Sequence, residues 1–304
     1  MDFDTIDRTP RIELDLRKYQ ANLRKALYEL AADISKFQVA INTSDLEEIE
    51  RIGKSLRAIV ENQTRNSLET AKTRRQNLVR FQGIEVCSLG YDCFARTVCT
   101  RWGLKKPAKL GEKSSPFDLA IHPAEAVLEI LRGDFALYAS PEITYSEELG
   151  HYVVERLRMK FNHDKNILSE NDSLSVLRSR YLQRAENFRK AMTNPKPMLF
   201  IHHSHDASPQ SQEAVAAIFK HAATLRGDRP SAFAWICNQY GDPQPIRFAE
   251  SRDTRVLDLP YPSDKYKWWR IGDSFSGDGV RFEKKVIAWL TDVVSEQGWI
   301  GKEA

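Results

Sequence analysis

Apolar residues recur at spacings of three and four from Tyr19 to Ile41: Tyr19, Leu23, Ala26, Leu27, Leu30, Ile34, Phe37 and Ile41. That period places them on one face of a helix. Ser44-Asp45-Leu46-Glu47 then has the form of a capping box, a serine with a glutamate three positions on, and predicts a new helix start. Leu46, Ile49, Ile52, Leu56, Ile59 and Val60 form its apolar side. A third, strongly polar stretch from about Ser67 to Val79 is also helical in pattern. Residues 1–80 are therefore expected to form a helical N-terminal appendage, packing on the main domain or joining copies into a homo-oligomer.

The texture changes near Gln82. Ile84-Glu85-Val86-Cys87-Ser88 is a short apolar strand signal closed by glycine, and a helix is expected from Cys93 to Trp102. Helices follow in expectation at Pro123–Leu131, Ser173–Met192, Ser211–Leu225 and Val280–Gln297. Strands are expected at Pro197–Ile201, Ser231–Cys237, Ile246–Phe248 and Arg255–Leu259. Alternating strands and helices predict an α/β fold in residues 81–304, a mixed or mainly parallel sheet flanked by helices.

The 304 residues are 41% hydrophobic and 29% charged, in keeping with a globular chain rather than a disordered one. Lys and Arg number 45 against 42 Asp and Glu, a net charge of +3. That excess is too small to suggest nucleic acid as a partner. The acidic opening Met1-Asp2-Phe3-Asp4 does not read as a secretory signal, and no apolar run reaches the length of a membrane span. Cys87, Cys93, Cys99 and Cys237 show no Cys-x-x-Cys or zinc-type spacing. The expectation is a cytoplasmic protein with free thiols and no cofactor.

Among those thiols Cys93 stands out. A strand running through Ser88-Leu89-Gly90-Tyr91-Asp92-Cys93 into a helix places the sulfur at a helix N-terminus. Free backbone N–H groups there favour a thiolate, lower the thiol pKa and can hold an oxyanion. Gly90 permits the tight turn. The blocks Ser88–Arg96, Arg101-Trp102-Gly103-Leu104-Lys105 and Ser115-Pro116-Phe117-Asp118 follow in order. So do Phe161-Asn162-His163-Asp164, Arg180–Phe188 and Met198-Leu199-Phe200-Ile201. Over roughly residues 84–290 this order resembles a bacterial family of unknown function described as papain-like cysteine peptidases. The resemblance implies Cys93 as nucleophile and His163 as its base, with Asp118 orienting the imidazole or binding substrate. Asp164 and Asp273 are rivals for the third position. Ser88, Gly90, Asp92 and Arg96 are expected around the substrate, with His122, just after Asp118, and His203, at the end of its strand, beside them; the substrate would be a small molecule, a glycan or a peptide. The implied chemistry is hydrolysis of an acyl or amide bond. Acyl transfer in surface-polysaccharide biosynthesis is the alternative, and a non-catalytic carbohydrate- or protein-binding module a further one. The sequence departs from the family at Leu119, where Trp is common, and at Asp92, where Asn is common.

Three other features compete. His202-His203-Ser204-His205-Asp206 suggests a metal, but neighbouring residues of an extended segment point opposite ways, so no metal is expected, and His203 or His205 is instead the rival base. Gly272-Asp273-Ser274 resembles an esterase nucleophile block in the wrong part of the chain, behind Trp268-Trp269. The run Arg101, Lys105, Lys106, Lys109 and Lys113 is either a solvated loop or a holder for an anionic substrate beside the Cys93 helix.

Overall fold

The computed structural model describes residues 46–164, 167, 172–240 and 243–301; the helix expected between Tyr19 and Ile41 lies outside them. The chain divides into two compact units, residues 1–71 with 266–281, and residues 72–265 with 282–304. This boundary differs from the sequence-based one at residue 80. A single helix, α1 (Leu46–Arg80), runs through the positions where the sequence suggested a second and a third helix. None of the residues joining the two stretches is a helix breaker.

In the first unit, the amide of Asn66 donates to the carbonyl of Phe275 at 2.9 Å. The short helix α6 (Ile271–Ser274) and the start of α7 (Gly277–Glu296) belong here. Trp268 is buried and Trp269 exposed.

The second unit is built on a four-stranded, wholly parallel sheet in the order β1 (Glu85–Ser88), β5 (Met198–Ser204), β6 (Ser231–Cys237), β7 (Thr254–Asp258). Every residue of β5 is buried, which explains its unbroken apolar run: a strand covered on both faces has no polar side to show. Phe200 and Phe233 are register partners, and their rings stack 5.1 Å apart. The helices α3 (Ala124–Arg132), α4 (Ser173–Thr193) and α5 (Pro209–Arg226) bring their apolar faces to one core, while α2 (Phe94–Trp102) buries Phe94, Ala95, Val98, Cys99 and Trp102 outside it. α2 ends in Gly103 at φ +85°, where a Cβ would overlap the carbonyl of Arg74 on α1. Arg226, fully buried at the end of α5, donates to the carbonyls of Ala191, Met192, Asn194 and Lys196. Its one guanidinium thus satisfies the open carbonyls at the end of α4.

Two details depart from the sequence reading. Ile246–Phe248 is not a strand: the N–H of Arg247 donates to the side chain of Gln212, while Ile246 and Phe248 still pack on the core. A small antiparallel sheet, β2 (Thr144–Ser146), β3 (His151–Val154) and β4 (Met159–Lys160), was not foreseen. Among the described residues no helix is long and apolar enough to cross a membrane.

Candidate functional site

β1 continues its pairing beyond Ser88. Leu89 N–H donates to Ile201, His203 N–H to Gly90, and Tyr91 N–H to His203, all within 2.8 Å. Gly90 then turns the chain at φ +88°. A Cβ there would come to 2.9 Å from Val127 and 3.0 Å from the His122 carbonyl, so the position needs glycine for conformation and for space. Asp92 accepts the N–H of Phe94 at 2.8 Å and so opens α2, with Cys93 as its N-cap residue.

The small antiparallel sheet supplies the partner. Phe161 N–H donates to Tyr152, extending the ladder past β4, and buried Phe161 and Asp164 bracket exposed His163. Asp164 is fixed by Arg180 at 2.6 Å and by the Tyr181 hydroxyl at 3.1 Å. The imidazole Nε2 of His163 lies 3.1 Å from Cys93 Sγ. The sulfur itself belongs to a residue only 9% exposed. Its electrostatics differ from the expectation for a helix N-terminus. Burial and then the Asp92 carboxylate push the Cys93 thiol up to about 12, against the smaller opposing pull of its own N–H, Thr97 and Arg96. Desolvation outweighs the first-turn amides. Burial also lowers the pKa of His163, so at neutral pH the pair is an uncharged thiol and an uncharged imidazole. Cys87, Cys99 and Cys237 are likewise pushed up to about 12 by burial. Of the four free cysteines, Cys93 is the one hydrogen-bonded to an imidazole.

No carboxylate among the described residues hydrogen-bonds to His163. Asp118 is fully buried, and its Oδ2 accepts the N–H of Ser115 at 2.8 Å and lies 3.9 Å from Arg96. It closes the turn at Pro116–Asp118 rather than orienting the imidazole or meeting substrate. Asp164 is spent on Arg180 and Tyr181. Asp273 belongs to the first unit, where its carboxylate accepts the N–H of Lys267 at 3.0 Å, a local turn contact in place of the catalytic one foreseen. Ser274 is buried and donates to Ile271. Ser88 is buried too, its hydroxyl donating to the Phe117 carbonyl. His122 is enclosed, with Nε2 3.1 Å from the Tyr138 hydroxyl, and burial lowers its pKa to about 3. It supports the Gly90 turn from beneath rather than lining an open pocket. Arg96, one turn along α2, acts electrostatically on both the Cys93 thiol and the His163 imidazole.

The basic run does not serve Cys93. Lys105 is buried, its ammonium on the Val86 carbonyl at 2.6 Å and on Glu112 at 3.0 Å, and Arg101 pairs with Glu283. Lys106 and Lys113 line a cleft with Glu85 and Met198, at the amino ends of β1 and β5. Cys93 lies beyond the carboxyl end of β1.

His203 is not the base of Cys93 either. It is fully buried, stacked on Phe94 with Nδ1 2.8 Å from Asp92 Oδ1 and Nε2 3.0 Å from Asn238 Oδ1. His205 Nε2 lies 3.7 Å from Asp92 Oδ2, and its Nδ1 is 3.1 Å from the Asn238 carbonyl. Ligand-capable atoms of Asp92, His203 and His205 all lie within 4.8 Å of one another. The objection that adjacent residues diverge applies to His202 and His203; residues two apart on a strand share a face. Asn238 escaped the sequence reading because nothing local marks it. Only the pairing of β5 with β6 brings it there.

No family model, no curated protein and no solved structure matches the chain.

Proposed function

We propose that the chain is a cysteine-nucleophile enzyme that cleaves an acyl or amide bond, with Cys93 as nucleophile and His163 as its base. The observation that carries this reading is the 3.1 Å separation of Cys93 Sγ and His163 Nε2. A hydrogen-bonded thiol and imidazole are the activated pair such chemistry needs. The order Cys before His, and the resemblance to papain-like peptidases, point the same way.

The pair is uncharged at rest, so proton transfer accompanies attack. Sγ forms a bond to the carbonyl carbon while the thiol proton passes to Nε2. The main-chain N–H of Cys93, which already acts on its own sulfur, is the donor for the developing oxyanion. Collapse expels the leaving group, which takes the proton from the imidazolium and leaves a thioester on Cys93. Water, deprotonated by the same imidazole, then releases the acid. With Asp118 and Asp273 otherwise engaged, the machinery is a dyad. For the acyl-transfer alternative, Lys105 and Arg101 are paired with Glu112 and Glu283 and so are engaged away from an anionic donor.

The test is acylation by small p-nitrophenyl esters, read by peptide mass spectrometry. The expected result is an acyl adduct on the Cys93 peptide, released by hydroxylamine and absent in Cys93→Ala and His163→Ala. Ester turnover equal in wild type and Cys93→Ala would overturn the proposal.

A further inference from the structure

We propose that Asp92, His203 and His205 form a binding site for a divalent transition-metal ion, through an Asp92 carboxylate oxygen, Nδ1 of His203 and Nε2 of His205. Three ligand-capable atoms already lie within 4.8 Å of one another, and the hydrogen bonds behind them fix the two rings. Asn238 Nδ2 donates to the Leu259 carbonyl at 2.5 Å, which fixes the orientation of that amide. Its Oδ1, an acceptor only, therefore faces His203 Nε2 at 3.0 Å, so Nε2 carries the proton. The Tyr261 hydroxyl is farther from the same nitrogen, at 3.4 Å. The main-chain carbonyl of Asn238 likewise faces His205 Nδ1 at 3.1 Å and requires the proton there. The other ring nitrogens, His203 Nδ1 and His205 Nε2, lie 2.8 and 3.7 Å from the two oxygens of the Asp92 carboxylate.

Two imidazole nitrogens and a carboxylate thus converge, with the second nitrogen of each ring held by Asn238. Metal-bound histidines characteristically donate their second N–H to a carbonyl or carboxylate, which fixes tautomer and ring orientation, and here one residue does this for both rings. Two imidazoles and a carboxylate suit zinc and its first-row neighbours, and three protein ligands leave coordination positions open. Tetrahedral ligands about 2.0–2.1 Å from zinc lie roughly 3.3 Å from each other, and the ligand atoms here already lie within 4.8 Å of one another. Access is from the side of His205 and Asp92, whose side chains are 24% and 13% exposed, while His203 is sealed below. Tyr91, Tyr240 and Tyr261 stand around the His205 ring, with centroids 5.4, 5.1 and 5.7 Å away. The inference does not depend on the reading of Cys93.

The test uses the full chain, stripped with a chelator and titrated with Zn2+ against a chromophoric competitor. One equivalent should bind, and His205→Ala, at a partly exposed position, should weaken it at least tenfold with an unchanged circular dichroism spectrum. Co2+ should give a visible d–d spectrum without an intense near-ultraviolet thiolate-to-metal band, lost in the same variant. Absence of Zn2+ binding, full affinity in His205→Ala, or a thiolate band assigning the metal to cysteine would each overturn the proposal. Iodoacetamide labelling of Cys93, followed in parallel, reports separately on the thiol.

Discussion

Replacing His163 by alanine isolates the part of Cys93 reactivity that the imidazole supplies. A thiol pushed from 9.0 to about 12, as burial does to all four cysteines, loses about a thousandfold in thiolate population at any pH below 9. Left to that environment, Cys93 would react with iodoacetamide no faster than Cys87 or Cys99. The imidazole 3.1 Å away changes this, because a positioned base contributes typically 10²–10⁴-fold. Wild-type Cys93 should therefore label at neutral pH about a hundredfold or more faster than the other three, and His163→Ala should remove that margin. His163 is exposed, so the substitution leaves the core untouched. The rate comes from timed quenching and peptide mass spectrometry. Burial lowers the His163 pKa below its ordinary 6.5, so the fall in labelling on acidification should set in at a lower pH than an ordinary imidazole would give. Equal Cys93 rates in wild type and His163→Ala, or uniform labelling of all four cysteines, would refute the reasoning.

Three further outcomes follow from the packing. Arg226→Met should lower stability by about 3–5 kcal/mol in urea unfolding, since it strips charged hydrogen bonds from several buried carbonyls at once. Gly90→Ala should be destabilising and should slow Cys93 labelling, because φ is +88° and a Cβ meets Val127 at 2.9 Å; unchanged labelling would contradict the turn's role. His122 binds a proton in the unfolded chain near 6.5 but in the folded one only near 3. The unfolded state then holds more protons across that window, so stability falls by about 1.4 kcal/mol per pH unit as the solution is acidified through it. Unfolding at pH 6.5 and pH 5 should differ by about 2 kcal/mol more in wild type than in His122→Gln.

What the sequence could and could not disclose follows range. The strand into Ser88, the turn at Gly90 and the helix to Trp102 were legible because each is signalled within a few residues. The seven residues of β6 were legible at both ends for the same reason. The strands around Tyr145 and Val153 were not: they are two to four residues long, and the exposed first one lacks alternation. Yet this small sheet delivers His163, which only the ordered motif blocks had suggested. Asp118 misled because its carboxylate is useful nearby, as a turn cap to Ser115, before it is useful at a distance. The histidines from His202 to His205 were judged by adjacency, whereas His203 and His205, two residues apart, are the two that meet Asp92.

Asn238 Nδ2 donates to Leu259 while its two carbonyl oxygens face His203 and His205. Deamidation to aspartate, a change of one heavy atom, would set an oxygen against the Leu259 carbonyl where an N–H now stands. The same event would add negative charge beside Nε2 of His203. Spontaneous chemical ageing at this one buried amide would thus be felt in three strand-end loops together, and the side chain's complete enclosure shields it from the water such ageing requires.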